Sequence, residues 1–233
     1  MTTISCANKH EPTSIQEVVF NDANTEHFML AYASGEMRCP HLMLYGTNGN
    51  GKTTVANLLA KALTRDSGLW LRDSADEFLK RNNLRYYLDC NLFAYGQADD
   101  RAVIVFNELE QYSRNLSKLW TVMDENADKL VVLITTNGPT EFQNAILSRC
   151  DMYEFKRITP GQYASRAQQI LAKEGLILSV REVEAYLEKY TGANSDVRDY
   201  LRTLDKMLSL ERVGKLPAIN QNAASKPSLT VVS

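Results

Sequence analysis

Three short runs of consecutive apolar residues stand out along the chain: His41-Leu-Met-Leu-Tyr45, Ala102-Val-Ile-Val-Phe106 and Leu130-Val-Val-Leu-Ile134. The first lies between Pro40 and Gly46, and the last two are bounded by polar residues and rich in β-branched side chains. They are too short for helices and predict buried strands. Leu69-Trp-Leu71 and Met152-Tyr-Glu-Phe155 are further strand candidates, and Thr53 to Leu63, rich in Ala and Leu, predicts a helix. Strands separated by helices imply βαβ units: a parallel sheet with helices on both faces and right-handed crossovers.

From about Thr159 the pattern becomes helical throughout. Gly161 to Glu174, Ser179 to Tyr190 and Asp196 to Glu211 each carry apolar positions at helical spacing, with breaks at Gly175 and at Thr191-Gly192. Ser179 with Glu182 has the capping-box spacing, and Asp196 is placed to cap the third helix. The expected organisation is an α/β core over residues 1–158, a small three-helix domain over 159–212 and a polar, flexible tail over 213–233.

Composition narrows the classes. A chain of 233 residues can build one large core and a small satellite. Formal net charge is −2, so any nucleic-acid surface must be a local patch. Cys6, Cys39, Cys90 and Cys150 are scattered without a C-x-x-C pair, which argues against a zinc site or a disulfide framework and suits a reducing cytoplasm. No apolar run approaches the ~18 residues that span a bilayer. The expected location is the cytoplasm, including a host's cytoplasm if the chain is virus-encoded.

Between the first strand and its helix lies Gly46-Thr-Asn-Gly-Asn-Gly-Lys-Thr53, a match to G-x-x-x-x-G-K-[ST] in the strand-then-helix context that gives the pattern meaning. Glycines let successive N–H groups turn toward phosphate oxygens, and the helix start adds its positive dipole end. The candidate nucleotide-binding set is therefore Gly46, Thr47, Asn48, Gly49, Asn50, Gly51, Lys52, Thr53 and Thr54. Lys52 is expected to reach the β- and γ-phosphates of ATP, and Thr53 to offer its hydroxyl to Mg²⁺.

A second apolar strand should end in acids beside this loop. Val103-Ile-Val-Phe-Asn107-Glu108 is that strand. Glu108 is expected to orient the attacking water. Asn107 stands where an aspartate usually orders the hydration shell of Mg²⁺, so weaker metal binding and slow hydrolysis are expected. Glu110 is close enough in sequence to compensate.

Taken together, these motifs and their flanks resemble the AAA+ clamp-loader ATPases, especially small subunits of the replication-factor-C and phage type, from about Glu11 to Leu208. Glu11-Pro-Thr-Ser-Ile-Gln-Glu-Val-Val19 resembles the segment that packs around adenine, which implies base contacts from Val18 and Val19. Cys39-Pro-His-Leu-Met-Leu-Tyr-Gly46 resembles the family's approach to the phosphate loop. Thr135-Thr-Asn137 looks like sensor 1, with the Asn137 amide near the γ-phosphate. Ser148-Arg149-Cys150 matches the Ser-Arg-Cys motif, in which the arginine is a finger reaching a neighbouring subunit's ATP. Ser195-Asp196-Val-Arg198 looks like the start of the lid helix that carries sensor 2, Arg198, although Ser195 replaces the usual glycine.

The resemblance implies oligomerisation through the ATP interface, a sliding clamp and primer-template DNA as partners, and no membrane. It also implies DNA contacts from the helices after the second and third strands, here Lys80, Arg81, Arg85, Arg114 and Lys118; the same cations equally suit a solvated face balancing Asp76, Glu77 and Asp89. Two departures matter. Trp120 sits where the family often carries an arginine, and only a short polar tail follows Glu211 where a helical collar domain is usual. A helicase-loader or transposition-regulator ATPase, and a non-hydrolysing ATP-binding module, therefore stay open as alternatives.

Overall fold

Leu42–Tyr45 (β1), Leu71–Asp73 (β2), Ala102–Phe106 (β3), Leu130–Thr136 (β4) and Asp151–Glu154 (β5) hydrogen-bond side by side in a computed structural model of the chain. They form a five-stranded sheet in the order β2-β3-β4-β1-β5, with every pairing parallel. The described residues are 5–65, 71–73, 101–109, 116–138 and 144–217.

The apolar runs form strands because both of their faces are covered. Side chains alternate between faces along each strand. Leu42 and Leu44, Val103 and Val105, Val131 and Leu133 meet Met29 and Tyr32 of α2 (Ala23–Ser34) and Val55 and Leu59 of α3 (Lys52–Leu63). The intervening Met43, Ile104, Phe106, Val132 and Ile134 meet Leu119, Val122 and Met123 of α4 (Leu116–Glu125) and Ile146 of α5 (Asn144–Leu147). Each fully buried side chain of this size stabilises the fold by about 1.5–3 kcal/mol, so strand positions are set by the core. The strand expected at Leu69–Leu71 lies farther on, at Leu71–Asp73, with residues 69 and 70 outside the described set.

His41 ties three elements together at the foot of β1. Its Nδ1 accepts the Val132 N–H of β4 at 3.0 Å, its ring bonds the backbone of Met123, and its own carbonyl accepts the Asp151 N–H ahead of β5. Nδ1 can accept only in the neutral imidazole. Burial, opposed by the bond to Met123, holds the His41 pKa below its ordinary value of 6.5. The unfolded chain then binds more protons than the folded one, so this contribution to stability is complete above the ordinary value and is lost as pH falls below it. Denaturant titrations between pH 7.5 and 5.5 should show stability falling with pH. His41→Gln, whose amide supplies one acceptor and one donor, should show a shallower fall.

The helices after Ile158 form a second compact unit together with residues 5–11. Pro160–Lys173 (α6), Val180–Tyr190 (α7) and Val197–Arg212 (α8) each begin at a full capping box, on Thr159 with Gln162, Ser179 with Glu182 and Asp196 with Asp199. A neutral cap such as Thr159 contributes about 0.5–2 kcal/mol. Their apolar stripes close on one another through Leu171, Leu187, Leu204 and the stacked rings of Tyr163 and Tyr200, 5.3 Å apart.

The N-terminal segment, expected with the α/β core, instead belongs to this helical unit. Cys6–Lys9 (α1) buries Cys6, whose N–H donates to Asp205 Oδ1 at 2.8 Å. Lys9 and His10 both reach Glu174 Oε1 at 2.6 Å. The tail is ordered at its start, where the Tyr186 hydroxyl donates to the Pro217 carbonyl. Among the described residues no helix is long and apolar enough to cross a membrane.

Candidate functional site

Parallel register brings the carboxyl ends of β3, β4 and β1 side by side. Phe106 aligns with Ile134, and Tyr45 with Thr136. In an open parallel sheet the crevice beyond these ends is where ligands bind. Three chain segments emerge there: the turn starting at Gly46, the pair Asn107-Glu108, and Asn137.

The turn from Gly46 to Gly51 takes left-handed backbone at all three glycines, with φ of 131° at Gly46, 79° at Gly49 and 87° at Gly51. At Gly46 there is also no room for a side chain: a Cβ would stand 2.4 Å from the Phe155 carbonyl oxygen. Asn50, 2% exposed, braces the loop from inside by donating to Thr47 Oγ1 at 2.7 Å and to the Phe155 carbonyl at 3.3 Å. Thr47 and Asn48 are exposed at the tip. Lys52, the first residue of α3, is buried, and its Nζ donates to the carbonyls of Gly46 and Thr47 at 2.8 Å each. It also reaches Asn137 Oδ1 at 3.2 Å. The loop lysine and the residue read as sensor 1, 85 positions apart, are therefore in contact.

After Phe106 the chain turns sharply. Glu108 has φ of 52°, uncommon for a residue with a Cβ and costing on the order of 1–3 kcal/mol. What holds it is Thr135, 0% exposed, whose Oγ1 accepts the Glu108 N–H at 2.9 Å and whose carbonyl accepts the Leu109 N–H at 2.9 Å. Leu109 then anchors in the core. The result is an exposed Glu108 carboxylate beside a half-buried Asn107. Asn107 Oδ1 is buried and has no hydrogen-bond partner among the described residues. A buried amide oxygen left without a donor is costly, and it is an acceptor waiting for one. Magnesium keeps several of its waters and needs oxygen acceptors around them. Thr53, half-buried in the first turn of α3, and Asn107 supply a hydroxyl and an amide oxygen, so this donor set fits the ion.

The remaining expected site residues distribute as follows. Val18 and Val19 are half-buried, and Val18 packs against the sheet face that carries Leu42 and Leu44. Thr54 is half-buried in the first turn of α3. Arg149 follows α5 and forms a two-point ion pair with Asp124 at 2.7 and 2.6 Å. Its guanidinium holds the Asp124 carboxyl below the usual carboxylate range, and Asp124 in turn raises the arginine. Arg198 is exposed in the first turn of α8, its N–H capped by Asp196 Oδ1 at 2.8 Å. Ser195, in place of the usual glycine, accepts the Gly192 N–H at 2.9 Å through Oγ. Trp120 packs against the core cluster of α4. Lys80, Arg81, Arg85, Glu110 and Arg114 lie outside the described residues, as does the Lys118 side chain.

Sequence reasoning names Asn50 only as a phosphate-loop residue, without its bracing role, and passes over what Thr135 and Asp124 do. Asn50 carries a signal, a polar residue between two glycines of a phosphate loop. Thr135 carries one as well, a hydroxyl in a strand otherwise apolar up to that point. Asp124 carries none, because its partner is 25 positions away.

A family model described as "ATPase family associated with various cellular activities (AAA)" matches residues 42–158. The chain belongs to that family. It is 27% identical over 206 residues to replication factor C subunit 4 of Encephalitozoon cuniculi, covering 87% of this chain and 64% of that one. It is 25% identical over 228 residues to DNA polymerase III subunit tau of Escherichia coli, covering 87% and 34%. The chain thus spans a little under two thirds of the first relative's length and about a third of the second's. The first carries the name of the replication-factor-C type that the motifs resemble. The Holliday junction branch migration motor RuvB of Thermotoga maritima superposes with a TM-score of 0.66 over 91% of this chain and 70% of that one, at 16% identity. That likeness shows the AAA+ α/β fold.

Proposed function

We propose that this protein binds and hydrolyses ATP as a subunit of a clamp-loader-like assembly, coupling nucleotide state to its engagement with DNA. The observation that carries the reading is the two pairs of polar groups that stand at the ends of the adjacent strands β3 and β4. Lys52 contacts Asn137 at 3.2 Å, and Asn107, with its unpartnered buried oxygen, stands beside the exposed Glu108.

The roles follow from the chemistry of each group. Lys52 exchanges the Gly46 and Thr47 carbonyls for phosphate oxygens, which carry full charge and compete better for an ammonium. The turned-in amides of residues 46–51 receive the remaining phosphate oxygens. Thr53 and Asn107 would hold Mg²⁺, and the ion would supply neutralisation of phosphate charge. Glu108 accepts a hydrogen bond from the attacking water and so orients it. Asn137 and Arg198 respond to the terminal phosphate, and Arg149 reaches a neighbouring subunit's nucleotide. A sliding clamp and primer-template DNA are the proposed partners, with Arg81, Arg85 and Lys118 among the cations for phosphate contact.

Asn107 favours a second reading, an ATP-binding module that does not turn over, because an amide lacks the charge of the usual aspartate. Titration of purified protein with a fluorescent ATP analogue tests the first half of the proposal. Lys52→Ala should weaken binding by about 10²-fold, the loss of a charge-assisted contact worth ~3 kcal/mol. If Lys52→Ala binds as the parent does, the nucleotide site is elsewhere. Steady-state turnover tests the second half: Asn107→Asp should accelerate an existing hydrolysis several-fold. Activity that appears only in Asn107→Asp means that the natural protein is the module.

A further inference from the structure

Arg149 is not a loosely held surface side chain. Its Nε donates to Asp124 Oδ1 at 2.7 Å, its Nη2 to Asp124 Oδ2 at 2.6 Å, and its Nη1 to the Ala145 carbonyl at 2.5 Å. The carboxylate therefore occupies the side edge of the guanidinium fork and fixes its plane. The carbonyl takes one of the two hydrogens on Nη1. A guanidinium has five N–H donors, so one remains on each terminal nitrogen, on a side chain that keeps 30% of its exposure.

Both ends of this clamp are rigid. Asp124 follows Met123, which is 1% exposed, and Val122; Arg149 sits between Ile146, which is 0% exposed, and Cys150. All four neighbours belong to one core cluster on the same sheet face. The His41 ring bonds the Met123 backbone, tying the same helix end to β1. An arginine at the end of a four-residue helix otherwise samples many rotamers. Here two elements docked on one sheet hold it by three hydrogen bonds.

We infer that Asp124 is a positioning residue: it aims the free edge of Arg149 outward, so that the guanidinium arrives at a neighbouring copy's ATP already oriented. This rests on the reading above, in which Arg149 acts in trans. The benefit is kinetic. Transition-state charge is stabilised most by donors that need no reorganisation at the moment of reaction, and a misplacement of about 1 Å can cost ~10²-fold in rate. Among the described residues the ion pair has no contact with Lys52, Asn107 or Glu108, its partners being each other and Ala145, so its loss should leave ATP binding unchanged.

The experiment uses the full chain under conditions where turnover rises with protein concentration. Asp124→Ala should lower kcat by about 10²-fold with ATP affinity unchanged. Asp124→Glu should recover most of the rate, and Asp124→Asn, which keeps the shape without the charge, only part of it. The decisive readout is mixing. Lys52→Ala protein has an intact finger but, at an ATP concentration that only just saturates the parent, little nucleotide of its own. Added to Asp124→Ala protein, it should restore turnover, whereas the double variant Lys52→Ala/Asp124→Ala should not. Failure of the mixture to restore, or an Asp124→Ala rate equal to or above the parent's, overturns the inference. If Arg149→Ala is inactive in the same assay, the trans reading survives that failure. If Arg149→Ala turns over normally, both fall together. Circular dichroism of Asp124→Ala and Asp124→Asn separates a positioning effect from misfolding, and an unfolded Asp124→Asn also overturns the inference.

Discussion

Arg149→Ala is expected to bind ATP as the parent does and to lose about 10³–10⁵ in turnover, the range seen where an arginine finger is removed from other phosphate-transferring enzymes. The loss should fall entirely on the part of the rate that rises with protein concentration. Arg149 has no contact with Lys52, Asn107 or Glu108 among the described residues; its partners are Asp124 and Ala145. Removing it therefore leaves the loop, the lysine and the Glu108 carboxylate of the same subunit in place. A guanidinium supplied by a neighbour places positive charge where the equatorial oxygens of the transferring phosphoryl group gain negative charge. That interaction belongs to the transition state, so it should appear in kcat and not in ATP affinity. Turnover measured across a protein-concentration series, beside equilibrium ATP titrations, checks it. Unchanged, concentration-independent hydrolysis in Arg149→Ala would rule out action in trans.

The second large effect is structural. Gly46→Ala should destabilise the protein by about 2–5 kcal/mol, combining left-handed backbone strain with overpacking, and should abolish tight nucleotide binding. The added Cβ would meet only backbone: the Phe155 oxygen at 2.4 Å, its carbonyl carbon at 3.1 Å and its nitrogen at 3.3 Å. None of these can rotate away. Phe155 N–H is also held by the Tyr45 carbonyl at 2.7 Å, and Asn50 donates to the Phe155 oxygen. Relief of the clash must therefore either part β5 from the end of β1 or displace the loop from its brace. Gly51 is the control. Its φ of 87° is also left-handed, but a Cβ there meets nothing within 4 Å, so Gly51→Ala carries only the conformational penalty of about 1–2 kcal/mol. Thermal melts of the two variants should be separated by several degrees, since about 1 kcal/mol moves the midpoint of a chain this size by roughly 2–4 °C. Equal melts would mean that the Phe155 contact has no part in stability.

The difference between these glycines also marks where sequence stops being informative. The phosphate loop was legible because its pattern, preceding strand and following helix are contiguous. Asn107-Glu108 was legible because an apolar run ended in polar residues. The strands were legible for a related reason: Ala102–Phe106 and Leu130–Ile134 are apolar on both faces, which few other structures accommodate. What was not legible depends on distance in the chain. Thr135 holds Glu108 across two strands, Asn50 reaches Phe155 across the sheet, and Asp124 meets Arg149 across a helix end. Periodicity reports which face of an element is buried but is silent on which neighbour it meets. The N-terminal segment was misplaced for the same reason. Its resemblance to an adenine-packing segment begins at Glu11, whereas Cys6, Lys9 and His10 are claimed by Asp205 and Glu174.

Glu108 occupies a backbone conformation that suits glycine or asparagine better than glutamate, and it is kept there by a buried threonine. On the proposed reading of Glu108, folding and chemistry thus pull in opposite directions at one position. A library of this protein selected only for heat resistance would drift toward smaller residues at 108, and its best survivors would be sturdier molecules without the carboxylate proposed to orient water.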